Sequence, residues 1–356
     1  MKKKNAPNFP LPDATELMSY QIVRMIARGS SSFVYLAKNQ HDQLVAIKEY
    51  LPHKLSLRKE AQIDLTIPAK NAGKFRQSLR TFLSEYRTLS QVTHPGIVRL
   101  IDFFRAHNTF YLVTNYEPGS SLKDVISRRL YRKLGYKEDS LLHAYLYYRC
   151  YKKKIIGSRQ VVGERLIKKI LFNVIDAISM LHDQGFLYLD LKPANIYLRH
   201  DGTPFLLDFG AARRTQEKNR RHLNWVSTQG FAAPELTQRR LAWMGPWTDA
   251  YGIGATIFAC MCGFPPQSAH QRETHDRLPQ TFKLLRTRYS SDLIDLLEWC
   301  LHLDREQRPQ TMAVLQQRLL ECRTNHTPTT KRKLVRRFSH WFSKTMKPGS
   351  LIAKLK

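Results

Sequence analysis

The stretch Leu187-Tyr188-Leu189-Asp190-Leu191-Lys192-Pro193-Ala194-Asn195 sets a carboxylate, then a lysine, then a side-chain amide within one short loop. Alone it decides little, because short matches of this kind arise by chance. Three further stretches surround it in a fixed order. Upstream, Val45-Ala46-Ile47-Lys48 is a short apolar run ending on a lysine, the pattern of a strand. Downstream come Asp208-Phe209-Gly210 and then Ala233-Pro234-Glu235. Four such stretches in this order, each on a plausible element, make coincidence a poor explanation.

Working outward, the apolar runs Tyr20–Ala27 and Phe33–Ala37 flank Arg28-Gly29-Ser30-Ser31-Ser32, which predicts strand, tight turn, strand. Phe75, Leu79, Phe82, Tyr86 and Leu89 recur at helical spacing, so 75–92 is expected to be a helix. Val98–Arg105 and Thr109–Asn115 read as two more strands. The sum is a small α+β unit with a mostly antiparallel sheet. After Gly119 the pattern turns helical. Leu166, Ile170, Val174, Ile178 and Leu181 mark one helix that stops near Gly185. Thr248–Gly263, Ser291–Leu301 and Gln310–Cys322 mark three more. The expected organisation is a flexible lead-in over 1–18, a sheet-rich lobe over 19–117 and a mainly helical lobe over 118–322. A basic tail over 323–356 follows. Residues 51–74 read as a loop insertion.

Charge is unevenly spread. The 356 residues hold 58 Lys+Arg against 29 Asp+Glu, a formal +29, which favours anionic partners. Much of the excess is local. Segment 128–160 carries ten Lys/Arg against two acids, and 331–356 carries nine and no acid. The five cysteines include no C-x-x-C, which fits reduced thiols in a cytoplasmic protein and argues against a zinc site. The N-terminus has no apolar run of the signal-peptide kind. The least charged stretch, 250–264, is shorter than the roughly 20 residues that span a bilayer.

Those residue types suit the transfer of a phosphoryl group, which needs positioning and neutralised charge more than covalent chemistry. Lys48 is placed to hold the α/β-phosphates of ATP, and a carboxylate on the neighbouring helix should steady it. Glu85 lies in that helix, whereas the rival Glu60 precedes it. Magnesium takes a few hard oxygen ligands, which Asp208 and Asn195 supply. Asp190 would orient the attacking hydroxyl and accept its proton. Lys192 would neutralise the γ-phosphate. The turn Gly29-Ser30-Ser31-Ser32 would cover the phosphates with backbone N–H groups.

On these stretches the chain resembles the eukaryotic-like serine/threonine protein kinases, from about Tyr20 to Cys322. It looks most like bacterial members on Val45–Pro52 (VAIKEYLP), Asp208–Arg213 (DFGAAR) and Gly245-Pro246-Trp247-Thr248-Asp249. The resemblance implies a bilobal kinase fold, with ATP and Mg²⁺ as cofactors and protein Ser/Thr hydroxyls as acceptors. It implies that Val34 and Ala46 line the nucleotide site, with Thr114 as gatekeeper. The backbone of Asn115 and Glu117 would bind adenine. It also implies a Glu235–Arg308 pair, and Asp249 bracing the catalytic loop. Lys192 with Thr228 marks Ser/Thr rather than Tyr specificity.

Two departures stand out. Against the family's G-x-G-x-x-G-x-V, the run Ala27–Val34 keeps only Gly29, so weaker nucleotide binding is expected. The catalytic-loop His-Arg-Asp is Tyr188-Leu189-Asp190, and leucine cannot read a phosphate on the activation loop. Activity should therefore not depend on phosphorylation there. These losses keep two other readings open: a pseudokinase scaffold, and a small-molecule or lipopolysaccharide-core kinase, although such enzymes generally lack the Ala-Pro-Glu segment and the Arg308 partner.

In the tail, Leu334, Phe338, Trp341 and Phe342 share a helical face ringed by Lys331, Arg332, Lys333, Arg336 and Arg337. This suits peripheral contact with an anionic membrane at its inner face, and equally a docking helix on the kinase or a disordered basic tail. The Tyr-rich insert 128–160 could stack single-stranded nucleic acid, but a helical hairpin packed on the C-lobe is the preferred reading.

Overall fold

A computed structural model describes residues 8–134, 160–215 and 228–322. Six strands form the first sheet: β1 (Glu16–Leu17), β2 (Tyr20–Arg28), β3 (Ser32–Lys38), β4 (Leu44–Tyr50), β5 (Leu100–Ala106) and β6 (Thr109–Asn115). They run antiparallel in the order β1-β2-β3-β4-β6-β5. The register sets Val34 opposite Lys48, and Ala46 opposite Thr114. The sheet curls until Tyr20 of β2 stacks on Phe104 of β5, centroids 6.0 Å apart, and its hydroxyl reaches Asp102 at 3.3 Å. Helix α1 (Ala72–Leu89) buries Phe75, Phe82 and Leu89 in the core.

The lead-in departs from its flexible reading. From Asn8 onward the chain is packed: Leu11 and Leu17 are buried, and the Leu11 N–H donates to the Tyr35 hydroxyl at 3.0 Å. Two leucines among prolines escape a periodicity search, yet each covers apolar surface at the sheet. Segment 51–74 is also folded. Leu57 bridges Thr66, a short 3₁₀ turn spans Ala69–Asn71, and α1 starts at Ala72, ahead of its expected start.

The anchor of this segment is Arg58, fully buried and paired bidentately with the equally buried Glu49 at 2.6 and 2.7 Å. Glu49 also accepts from the hydroxyls of Tyr35 (2.7 Å) and Tyr111 (2.9 Å). Arg58 Nε donates to the Phe9 carbonyl at 2.9 Å. A buried charge pair is tolerated only when its remaining donors and lone pairs are met, and here they are.

The second lobe is built on α2 (Leu122–Leu134), α3 (Glu164–Asp183), α4 (Pro234–Thr237), α5 (Pro246–Cys262), α6 (Ala269–Thr274), α7 (Leu278–Leu285), α8 (Ser291–Cys300) and α9 (Met312–Glu321). Helix α5 is buried from Thr248 to its end, where Gly263 turns the chain at φ 85°. A continuous apolar core joins both lobes. Strands β7 (Gly119–Ser121), β9 (Ile196–Arg199) and β10 (Pro204–Leu206) form one small sheet, and β8 (Phe186–Leu187) pairs with β11 (Arg213–Arg214). They are too short to leave a period in the sequence, but β8 and β9 fix both ends of the loop that carries Asp190.

Of the basic insert, 128–134 completes α2 and 135–159 lies outside the described residues, as do the tail 323–356 and residues 216–227. Cys260, Cys262, Cys300 and Cys322 are buried free thiols, while Cys150 is outside the described residues. Among the described residues no helix is long and apolar enough to cross a membrane.

Candidate active site

Strand β4 delivers Lys48, and α1 delivers Glu85 on its buried face. Lys48 Nζ meets both carboxylate oxygens of Glu85, at 2.8 and 2.7 Å, and Asp208 Oδ1 at 3.2 Å. Glu60 has no part in this contact. Burial works against the charge on Lys48, but Asp208 and Glu85 outweigh it and raise its pKa above the ordinary lysine value. Lys48 in turn holds the Asp208 carboxyl below its usual range. Asp208 sits at φ 55°, in the left-handed region that aspartate tolerates better than most residues, and the Gly210 N–H donates to its Oδ1 at 3.2 Å.

The second cluster is on the loop between β8 and β9. Asp190 Oδ2 accepts from Lys192 Nζ at 2.6 Å and from Asn195 Nδ2 at 3.0 Å. Its Oδ1 accepts from the Thr228 hydroxyl at 3.0 Å. Lys192 also donates to Thr228 at 2.9 Å, so the three side chains form a closed ring of hydrogen bonds. Burial lifts the Asp190 carboxyl above its ordinary value, opposed by Lys192, Thr228 and Asn195. A lifted carboxylate is a better proton acceptor.

Asp249 braces this loop from α5. Its carboxylate accepts from the backbone N–H groups of Tyr188 (2.9 Å) and Leu189 (2.7 Å), and His182 Nε2 lies 2.8 Å away. Arg308 holds Glu235 bidentately at 3.0 and 2.7 Å, and the Thr248 hydroxyl donates to the same carboxylate at 2.8 Å. Leu189 is buried at φ 65°, so the position where the family carries its phosphate-reading arginine has joined the core.

The turn Gly29–Ser31 joins β2 to β3, closed by Gly29 N–H on the Ser32 carbonyl at 2.8 Å. Ser30 is exposed, Ser31 half-buried and Ser32 buried. Thr114 is buried next to Ala46 across the sheet. The Asn115 N–H is taken by the Arg99 carbonyl at 3.1 Å, and its side-chain amide donates to Glu117 Oε1 at 2.8 Å. The Arg199 guanidinium grips the Glu117 carboxylate and donates to the Pro95 carbonyl at 3.1 Å.

The residues present fit a magnesium-bound nucleotide. Asn195 spends its amide N–H on Asp190, which leaves its carbonyl oxygen as the donor. Asp208 keeps a half-exposed carboxylate. Both are hard oxygen ligands, few in number, as that ion takes when phosphates complete its shell.

Two residues make contacts that were invisible in the sequence. Tyr188, where the family has histidine, donates its hydroxyl to the Leu207 carbonyl and sets its ring edge-to-face on Phe209 at 5.2 Å. His182 reaches Asp249 from α3. Neither position carries a local signal, because each partner is supplied by another part of the chain.

Comparison with known proteins agrees with this geometry. The family model described as the protein kinase domain matches residues 20–320. A solved structure titled PpkA-294, apo form, superposes with a TM-score of 0.68 at 26% identity, covering 87% of this chain and 99% of that one. The serine/threonine-protein kinase STE20 of Candida glabrata is 26% identical over 304 residues, 83% of this chain and 27% of that protein. The serine/threonine-protein kinase chk-2 of Caenorhabditis elegans is 23% identical over 251 residues, 68% of this chain and 47% of that protein. The chain spans about a quarter of the length of the first of these relatives. A lysine locked to a helix glutamate, a braced Asp190 loop and a domain match over most of the sequence agree on one assignment: the chain belongs to the protein kinase family.

Proposed function

We propose that the chain is an ATP-dependent serine/threonine protein kinase. The observation that carries this is the joint assembly of Lys48 with Glu85 and Asp208, and of Asp190 with Lys192, Asn195 and Thr228. In the reaction, the oxygen of a substrate Ser or Thr attacks the γ-phosphorus and the bond to the β,γ-bridging oxygen breaks. ADP leaves, and the hydroxyl proton passes to Asp190. Lys48, fixed by Glu85, orients the α/β-phosphates. Lys192 offsets charge on the transferred group while keeping Asp190 aligned. Thr228, bridging Asp190 and Lys192, is the activation-segment residue positioned for a Ser/Thr acceptor. Asn195 and Asp208 would hold magnesium, which neutralises phosphate charge when bound.

Purified protein with labelled ATP tests the reading, beside Asp190→Ala and Asp208→Ala. The expected outcome is label on protein with the wild type and a loss of at least about a thousandfold in both variants. The eroded glycine turn and Leu189 favour one rival, a scaffold that binds nucleotide without transfer. It predicts a nucleotide-induced melting shift and no label in any sample. Transfer to a sugar or lipid alone would point to a small-molecule kinase. The bacterial branch rests on the VAIKEYLP stretch. A cytoplasmic site rests on the cysteine usage, and peripheral contact with anionic membrane on the composition of the tail. Flotation with anionic vesicles tests that contact, and absence from the floated fraction would dispose of it.

A further inference from the structure

The phosphate-covering turn has lost two of the family's three glycines, yet its backbone is tied down from outside. The Leu51 N–H donates to the Ser31 carbonyl at 2.8 Å, and His53 Nε2 lies 3.0 Å from the Gly29 carbonyl. A carbonyl only accepts, so Nε2 carries the proton. Nδ1 is then bare, and it is buried with no hydrogen-bond partner among the described residues. Burial first, then the nearby Arg28, holds the imidazole pKa below its ordinary value, against the opposing pull of the Gly29 hydrogen bond and of Glu49; Arg58 adds a smaller lowering. The ring is a neutral tautomer aimed at the turn. It also packs edge-on against Phe33 at 5.0 Å, and the guanidinium groups of Arg28 and Arg58 lie 5.4 and 5.9 Å from the same ring.

The segment that carries His53 is itself fixed. Arg58 locks it to Glu49, and Asn8 clamps it by donating to the carbonyls of Ser56 (3.1 Å) and His53 (3.3 Å) while accepting from the Arg58 N–H at 2.6 Å. In a trans peptide the C=O of one residue and the N–H of the next point in opposite directions. With the carbonyls of Gly29 and Ser31 drawn toward the segment, the N–H groups of Ser30 and Ser32 face away from it.

We propose that segment 51–58 is a bracket that holds the phosphate-covering turn in place of the missing glycines, with His53 as a positioning residue for the phosphates of the nucleotide. The inference rests on the nucleotide-binding part of the proposed function. Glycine lets a turn approach phosphate closely at a cost in chain entropy. Serine restricts the turn, and the bracket orients what remains.

The test uses the full chain with His53→Ala and His53→Gln, whose amide nitrogen can stand where Nε2 stands. Affinity for ADP and for adenosine is measured by calorimetry, and hydrogen exchange is followed at residues 30–32. His53→Ala should weaken ADP binding about three- to tenfold, as loss of one hydrogen bond does, and leave adenosine unchanged. Exchange at 30–32 should quicken, and His53→Gln should restore both. Unchanged ADP affinity with unchanged exchange would overturn the bracket. So would a parallel loss of ADP and adenosine, or a Gln variant that behaves as Ala. A wild type that binds no nucleotide would sink the kinase reading, while exchange at 30–32 would still decide the bracket.

Discussion

Each lobe holds a buried Glu–Arg pair, and the two pairs differ in how they are completed. In the C-lobe, Glu235 meets Arg308 at 2.7 Å and takes one more hydrogen bond, from Thr248. Arg308 Nε finds no acceptor among the described residues. In the N-lobe, Glu49 meets Arg58 at 2.6 Å and takes two more, from Tyr35 and Tyr111, while Arg58 Nε reaches the Phe9 carbonyl. The family resemblance pointed to the first pair; nothing in the sequence pointed to the second, which is the better satisfied. A pair is therefore legible where a known motif names its members, whatever its energetic weight.

Truncating one partner should expose that weight. Arg58→Ala and Arg308→Ala each leave a buried carboxylate unpaired, and about 3–5 kcal/mol of stability should go in both. Denaturant melts measure it, with Arg58→Ala expected to be the more damaging. A smaller loss for Arg58→Ala would mean that the extra hydroxyls and the Phe9 carbonyl add no stability to the N-lobe pair. Removing a single hydroxyl is a finer probe. Tyr111→Phe deletes one hydrogen bond to the charged Glu49, for about 1.5–3 kcal/mol, whereas Thr248→Val deletes one to Glu235 and also the acceptor of the buried Gly245 N–H, so it should cost more. Equal effects would mean that the Gly245 contact adds nothing.

The smallest expected effect is one of pH. Transfer needs the Asp190 carboxylate unprotonated, and burial raises its pKa. The acid limb of kcat/KM should thus lie above that of an ordinary aspartate. Thr228→Val removes a donor to the charged form, so the limb should move to higher pH. A limb that stays in place would show that the ring of Lys192, Thr228 and Asp190 does not tune the base.

Much of the site was readable because its members sit in short, local stretches. Lys48, Asp190, Asn195 and Asp208 each lie in one, and Glu85 followed from its place in the helix expected over 75–92. Helices α1 and α3 were marked by their periods, and strands β2 to β6 and helices α5, α8 and α9 by apolar runs, with ends shifted by a few residues. The rest depended on distance along the chain. Arg58 in a loop, His53 facing Gly29, and Tyr188 on Leu207 have partners that only folding supplies. The lead-in misled for a related reason: no period marked it, while two leucines and Asn8 were enough to seat it.

That seating has a practical side. The family match opens at residue 20, but the carbonyl of Phe9 and the side chain of Asn8 already serve Arg58. A fragment trimmed to the family outline would take away the acceptor of Arg58 Nε and the Asn8 clamp, and so loosen the arch above the nucleotide. The outline shared with relatives and the unit that folds in this molecule have different first residues.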